Sequence, residues 1–131
     1  MGGSKELGDY GERVACFYLK NKGYKILERN YSKRWVGGPE KGEIDIIAIK
    51  KGIICFIEVK TLAQAKLSAF HPEDKIDFHK QKQIVRMAQD WLSGNKIPMD
   101  SKWQIDAVSV KIDLNTKKAK IRHLENIVSD I

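Results

Sequence analysis

The sequence predicts an α/β domain: one mixed sheet with helices packed on it, in the order helix, strand, strand, strand, helix, strand, strand. Three observations carry this. Residues 6–22 and 74–93 repeat their packing positions at helical steps, segments rich in β-branched residues stand between and after them, and glycine- or proline-bearing breaks separate them. The 131 residues suit a single domain spanning 1–131, long enough to bury a core without disulfides.

In the first helix, Gly8, Gly11, Ala15, Tyr18 and Leu19 recur at three- and four-residue steps, and the small residues among them suit close packing on a sheet. Glu12 sits beside that stripe, either as a solvated carboxylate or as an acid aimed at a site. Gly23 ends the helix, and residues 24–30 read as the first strand. Residues 31–42 form a glycine-rich loop carrying Tyr31, Lys33, Arg34 and Trp35. Cations mixed with aromatics suit phosphate contact and base stacking, although an ordinary surface loop has the same composition.

Residues 43–61 read as a hairpin closed at Lys51-Gly52. A two-residue turn there sets Asp45 directly opposite Glu58, and Glu43 opposite Lys60. Like charges opposed across a sheet are destabilising, so two facing carboxylates on an apolar hairpin need a reason. Mg²⁺ or Mn²⁺ between Asp45 and Glu58 supplies one, since hard cations take oxygen ligands. An ion-paired strand end in solvent is the alternative.

Residues 62–73 are poorly patterned, with a break at His71-Pro72. The helix over 74–93 has Phe78, Gln81, Val85, Ala88, Trp91 and Leu92 as its inner stripe, and Lys75, Lys80, Lys82 and Arg86 make it basic. Residues 103–112 and 118–124 are the last strands. Asp106 among apolar neighbours reads as a satisfied polar group rather than a site acid, and His79 and His123 as exposed.

The formal charge of +7 and a pI near 9.4 favour polyanionic partners, nucleic acid first. No apolar run is long enough for a membrane span, and the N-terminus lacks an apolar signal region. Cys16 and Cys55 lack metal spacing and fall inside predicted elements, as reduced core thiols of a cytoplasmic protein. Glycine loops for nucleotide phosphates and a Ser-His-Asp pattern are not evident.

Asp45, twelve residues, then Glu58-Val59-Lys60 resembles the PD-(D/E)XK nuclease motif, with Ile44 in place of the proline. Around it stand Gly8-x-x-Gly11-Glu12-x-x-Ala15, Gly23-Tyr24-x-Ile26-Leu27-x-Arg29-Asn30, Gly42-Glu43-Ile44-Asp45, Phe56-Ile57-Glu58-Val59-Lys60-Thr61 and Lys80-Gln81. Over nearly the whole chain these resemble the YraN-like family of uncharacterised, mostly bacterial proteins. That family is similar in fold to archaeal Holliday-junction resolvases and restriction endonucleases.

The resemblance implies a restriction endonuclease-like fold and a nuclease-type site, with no substrate established for the family; the function read from it is a metal-dependent DNA endonuclease, with branched DNA as one candidate substrate. It implies Glu12, Asp45, Glu58 and Lys60 as catalytic residues, and Mg²⁺ or Mn²⁺ held by Asp45, Glu58, the Val59 carbonyl and Glu12. Lys33, Arg34, Trp35, Lys80, Gln81 and Lys82 would contact DNA, with RNA left open as substrate and a homodimer as one assembly. Three departures bear on substrate choice: a longer 31–42 link, and Leu62 and Gln104 where arginine is common in the family. A nucleic-acid-binding module without activity, acting with a partner protein, and a structural adaptor with ion-paired acids are the competing readings.

Overall fold

The computed structural model describes residues 4–32, 42–64, 76–98 and 100–128. Its elements are α1 (Ser4–Asn21), β1 (Lys25–Ser32), β2 (Glu43–Lys50), β3 (Ile53–Gln64), α2 (Phe78–Gly94), β4 (Trp103–Asp113) and β5 (Ala119–Leu124). The five strands form one mixed sheet in chain order. β1–β2, β2–β3 and β4–β5 pair antiparallel, whereas β3 and β4 pair parallel. A parallel pair needs a long crossover, and α2 lies within it. This is the element order expected from sequence, and it is compatible with a restriction endonuclease-like fold.

Each sheet face buries its own core. On one, Ala15, Cys16 and Leu19 of α1 meet Ile46, Ala48, Cys55, Ile57, Val108 and Val110. On the other, Ile84, Met87, Ala88 and Trp91 of α2 meet Ile47, Ile54, Phe56, Ile105 and Ala107. Strands buried on both faces read as near-continuous apolar runs, as β2 and β3 do. Both cysteines are buried and reduced.

The α2 stripe differs from the expected one. Phe78 is 68% exposed, and the buried residues are Ile84, Met87, Ala88 and Trp91. The sequence pattern admits two phases, and Phe78, the first helical residue after the Asp77 cap, falls on the outer one. Asp77 accepts from Lys80 N, so the helix starts four residues later than the apolar pattern suggests.

Three glycines are required by geometry. At Gly23, φ is +95°, and Tyr24 N–H returns to the Leu19 carbonyl, closing α1 with a left-handed cap. Lys51 and Gly52 both have positive φ, the turn that matches the twist of a two-residue hairpin. At Gly11 a Cβ would overlap the Thr61 side chain, so α1 touches β3 there and its next residue, Glu12, is brought to the sheet. Among the described residues no helix is long and apolar enough to cross a membrane.

Candidate metal and phosphate site

The site begins where the β2–β3 ladder ends. Pairing runs from Lys50↔Ile53 to Ile46↔Ile57, the register expected from a Lys51-Gly52 turn. Asp45 and Glu58 are next in that register. There the Asp45 carboxylate takes the place of the backbone ladder, its Oδ2 accepting from Val59 N–H at 2.7 Å. The alternation of β2 also breaks at this residue. Ile46 and Ala48 pack with α1, whereas Ile44, two residues earlier, packs with Ile47 in the α2 core. Glu43 pairs with Ser32 of β1, and the β2–β3 ladder stops short of the expected Glu43–Lys60 pair.

Two groups of side chains meet at Asp45. In the first, Glu12, Glu43 and Asp45 bring one carboxylate oxygen each within 4.8 Å of one another. Asn30 fastens this group, donating through Nδ2 to Glu12 Oε1 and to Glu43 Oε1, both at 2.7 Å. Its φ is +53°, a left-handed conformation that asparagine tolerates better than most residues. Arg29 adds an ion pair to Glu12 at 3.8 Å. In the second group Glu58 faces Asp45 from β3, and Lys80 of α2 approaches Glu58 Oε2 at 3.9 Å.

Burial and proximity disturb both central acids. Desolvation, then the Glu58 charge, raises Asp45 far above a carboxylate's ordinary range, with the Val59 hydrogen bond opposing. Desolvation also raises Glu58, opposed by Lys80, a hydrogen bond with Asp45, and Lys60. Glu58 Oε2 is buried and, among the described residues, accepts no hydrogen bond. A buried carboxylate oxygen without a donor is costly, and a cation would satisfy it. Carboxylate oxygens at the hairpin end, those of Glu12, Glu43 and Asp45 in one group and Glu58 next to Asp45, fit Mg²⁺ or Mn²⁺ by donor chemistry.

Of the residues expected at the site, Glu12, Asp45, Glu58 and the Val59 backbone come together. Lys60 lies on the same strand face as Glu58, near enough to influence its ionisation. Lys80 reaches Glu58. Gln81 instead donates to the Ile76 carbonyl at 2.8 Å, tying down the start of α2. Lys82 Nζ lies 4.6 Å from the centre of the Phe78 ring. Lys33, Arg34 and Trp35 lie outside the described residues, as does His71.

Glu43 and Asn30 join the site without having been expected there. Their signal lies in Arg29-Asn30 and Gly42-Glu43, two of the family-like stretches, but hairpin pairing alone sends Glu43 toward Lys60.

Asp106 is the satisfied polar group expected. Fully buried, it accepts from Gln104 Nε2 at 2.9 Å and Asn126 N–H at 2.8 Å, and bonds His123 Nε2 at 2.8 Å. His123 is therefore a half-buried partner of Asp106 rather than an exposed residue. With Glu125 these two form a second set of metal-type side chains. The hydrogen bonds of Asp106, with that from Ile127 N–H to the Ile105 carbonyl, fasten the chain that follows β5.

Fold and site together define a small α/β domain with carboxylates clustered at the splayed end of a β-hairpin. Within that class the chain belongs to the uncharacterised protein family UPF0102, whose model matches residues 11–110. It is 41% identical over 123 residues to a UPF0102 protein of Alkaliphilus oremlandii, covering 94% of this chain and 97% of the relative. A UPF0102 protein of Caldanaerobacter subterraneus subsp. tengcongensis is 34% identical, with 95% and 93% covered. One from Clostridium botulinum is 35% identical, with 94% of each chain covered.

Proposed function

We propose that this chain is a metal-dependent nuclease that hydrolyses phosphodiester bonds in DNA, branched DNA included, in the cytoplasm. The observation that carries the reading is the Asp45–Glu58 pair: a buried acid beside a half-buried one, the latter with a buried oxygen that accepts no hydrogen bond among the described residues, next to Lys60 and Lys80. A site built only for stability gains little from such an arrangement.

Asp45 and Glu58 would hold Mg²⁺ or Mn²⁺, with the Val59 carbonyl a further oxygen and Glu12 acting directly or through water. When bound, the ion supplies Lewis-acid polarisation of the phosphodiester and lowers the pKa of the attacking water. Lys60 offsets negative charge that grows on the phosphate during attack. Asn30 holds Glu12 and Glu43 at the rim, where they can accept protons from water. Lys80 pairs with Glu58 and, together with Lys82, would contact phosphate. Lys33, Arg34 and Trp35 extend the contact to backbone and base, and a homodimer would pair two sites for two strands.

The test is cleavage of labelled duplex, single-stranded and four-way-junction DNA, and RNA, with Mg²⁺ or Mn²⁺. Cleavage by wild type and not by Asp45→Ala supports the proposal. DNA binding without cleavage of any substrate would favour a non-catalytic binding module instead.

A further inference from the structure

A second set of donors gathers on the α1 face of β4 and β5 and shares no residue with the Asp45–Glu58 site. Asp106, His123 and Glu125 each bring one ligand atom, a ring nitrogen and two carboxylate oxygens, within 4.8 Å of one another. Val108 pairs with His123 and Ala107 with Leu124, so Asp106 and Glu125 come next in the register. Acids opposed in this way repel each other, and Asp106 is fully buried.

Each donor is already held by other partners. Asp106 Oδ1 accepts from Gln104 Nε2 at 2.9 Å and from Asn126 N–H at 2.8 Å, which leaves Oδ2 for His123 Nε2 at 2.8 Å. Tyr24 donates its hydroxyl to Glu125 Oε1 at 3.4 Å, and its ring centre lies 5.8 Å from that of His123. Partners of this kind orient metal ligands. A cavity of about 210 Å³, lined in part by Tyr24, Cys55, Gln104 and Glu125, opens beside the cluster. It offers a route for an ion and room for water.

We propose that Asp106, His123 and Glu125 form a binding site for a Zn²⁺-type divalent ion, with water from the cavity completing its coordination. The donor set separates this site from the one at Asp45 and Glu58. An imidazole nitrogen suits zinc and its neighbours in the transition series, whereas oxygens alone suit Mg²⁺.

Ligands about 2.0–2.1 Å from a tetrahedral ion stand roughly 3.3–3.4 Å apart. The ion enters where the hydrogen bond between His123 Nε2 and Asp106 Oδ2 closes, opening that contact by about half an ångström, and the ring proton is carried on Nδ1. Cys55 stays outside the set, its thiol donating to the Ile53 carbonyl at 3.8 Å. The ion's role is mechanical. Asp106 and Ile105 fasten the chain after β5 through the Asn126 and Ile127 amides, and an ion joining Asp106 to Glu125 straps the same segment a third time.

The experiment titrates Zn²⁺ into the chelator-treated full chain carrying Asp45→Asn, which silences the hairpin site. This parent is compared with the same chain carrying Glu125→Gln or His123→Gln in addition. Glu125 is exposed, and glutamine keeps an acceptor for Tyr24, so Glu125→Gln preserves the fold even where His123→Gln does not. Calorimetry should find about one equivalent of Zn²⁺ in the parent, insensitive to excess Mg²⁺, with affinity at least roughly 10–100-fold lower in both variants.

At free Zn²⁺ about 100 times its Kd, the unfolding equilibrium of the parent should move about 100-fold toward the folded state. Hydrogen exchange of residues 125–128 should slow at the same time, and neither change should occur in Glu125→Gln. His79→Gln removes an exposed imidazole elsewhere and should bind as the parent does. No Zn²⁺ uptake by the parent, uptake that survives Glu125→Gln, or uptake that falls with His79→Gln would overturn the site and leave the Asp45–Glu58 reading standing.

Discussion

Replacing Asp45 with asparagine should make the metal-free protein more stable, and more so as pH rises. Burial and the Glu58 charge push Asp45 up to about 8 in the folded state, against about 4 in the unfolded chain. The folded protein thus keeps a proton that the unfolded chain gives up, and stability falls as pH climbs through that window. Each tenfold difference in proton affinity between the two states is worth about 1.36 kcal/mol, which bounds the loss at roughly 5 kcal/mol.

Asparagine removes the charge but keeps an oxygen for Val59 N–H, so about 2–3 kcal/mol of that bound should be recovered at pH 8. For a domain of this size the gain corresponds to a Tm higher by about 8–12 °C. At pH 4.5 the gain should shrink to about 1 kcal/mol or less. Saturating Mn²⁺ should raise the Tm of wild type and leave the variant unchanged. Melting curves at the two pH values, with and without the ion, decide the matter. A variant destabilised equally at both would show that Asp45 is held as a comfortable anion and would refute the reasoning.

The same geometry sets three further outcomes. Glu58→Gln should lose Mn²⁺ binding by titration calorimetry, whereas Lys60→Ala should keep it, because lysine is not a ligand; retained binding in Glu58→Gln would remove that acid from the site. Gly11→Ala should cost about 2–3 kcal/mol by overpacking α1 on Thr61 and should weaken Mn²⁺ binding by shifting Glu12, with denaturant unfolding and calorimetry as readouts. Asp106→Ala should cost about 3–5 kcal/mol, since it strands three partners, and hydrogen exchange should show the Ile127 amide opening early.

How much of the molecule is legible in its sequence depends on the range of the interaction. Local pattern is enough for the seven elements and their order, and for the Lys51-Gly52 turn and the register of Ile46 to Lys50 with Ile53 to Ile57. It fails where a residue leaves its pattern. Asp45 spends its side chain on the Val59 amide, so the ladder stops and Glu43 turns to β1 and Asn30. Strict alternation contains no sign of that break.

Phe78 escapes the pattern because apolar character at a helix start does not distinguish an inner stripe from an exposed ring. His123 looks exposed in sequence because its partner, Asp106, lies on another strand. Contacts between distant parts of the chain are what sequence pattern expresses least.

The parallel ladder between β3 and β4 has a consequence for how the molecule forms. Ile54 must find Trp103, and the chain between them includes the whole of α2. Non-local pairings of this kind close slowly, because chain entropy is lost before contacts compensate. The β2–β3 hairpin joins neighbours and can form early, bringing Asp45 and Glu58 together before α2 delivers Lys80. A nascent hairpin therefore carries two uncompensated acids at its open end, and divalent ions present during refolding should bind that hairpin and speed the search. The ion would then act first as a folding aid, with stopped-flow refolding in Mn²⁺ against chelator as the comparison that reveals it.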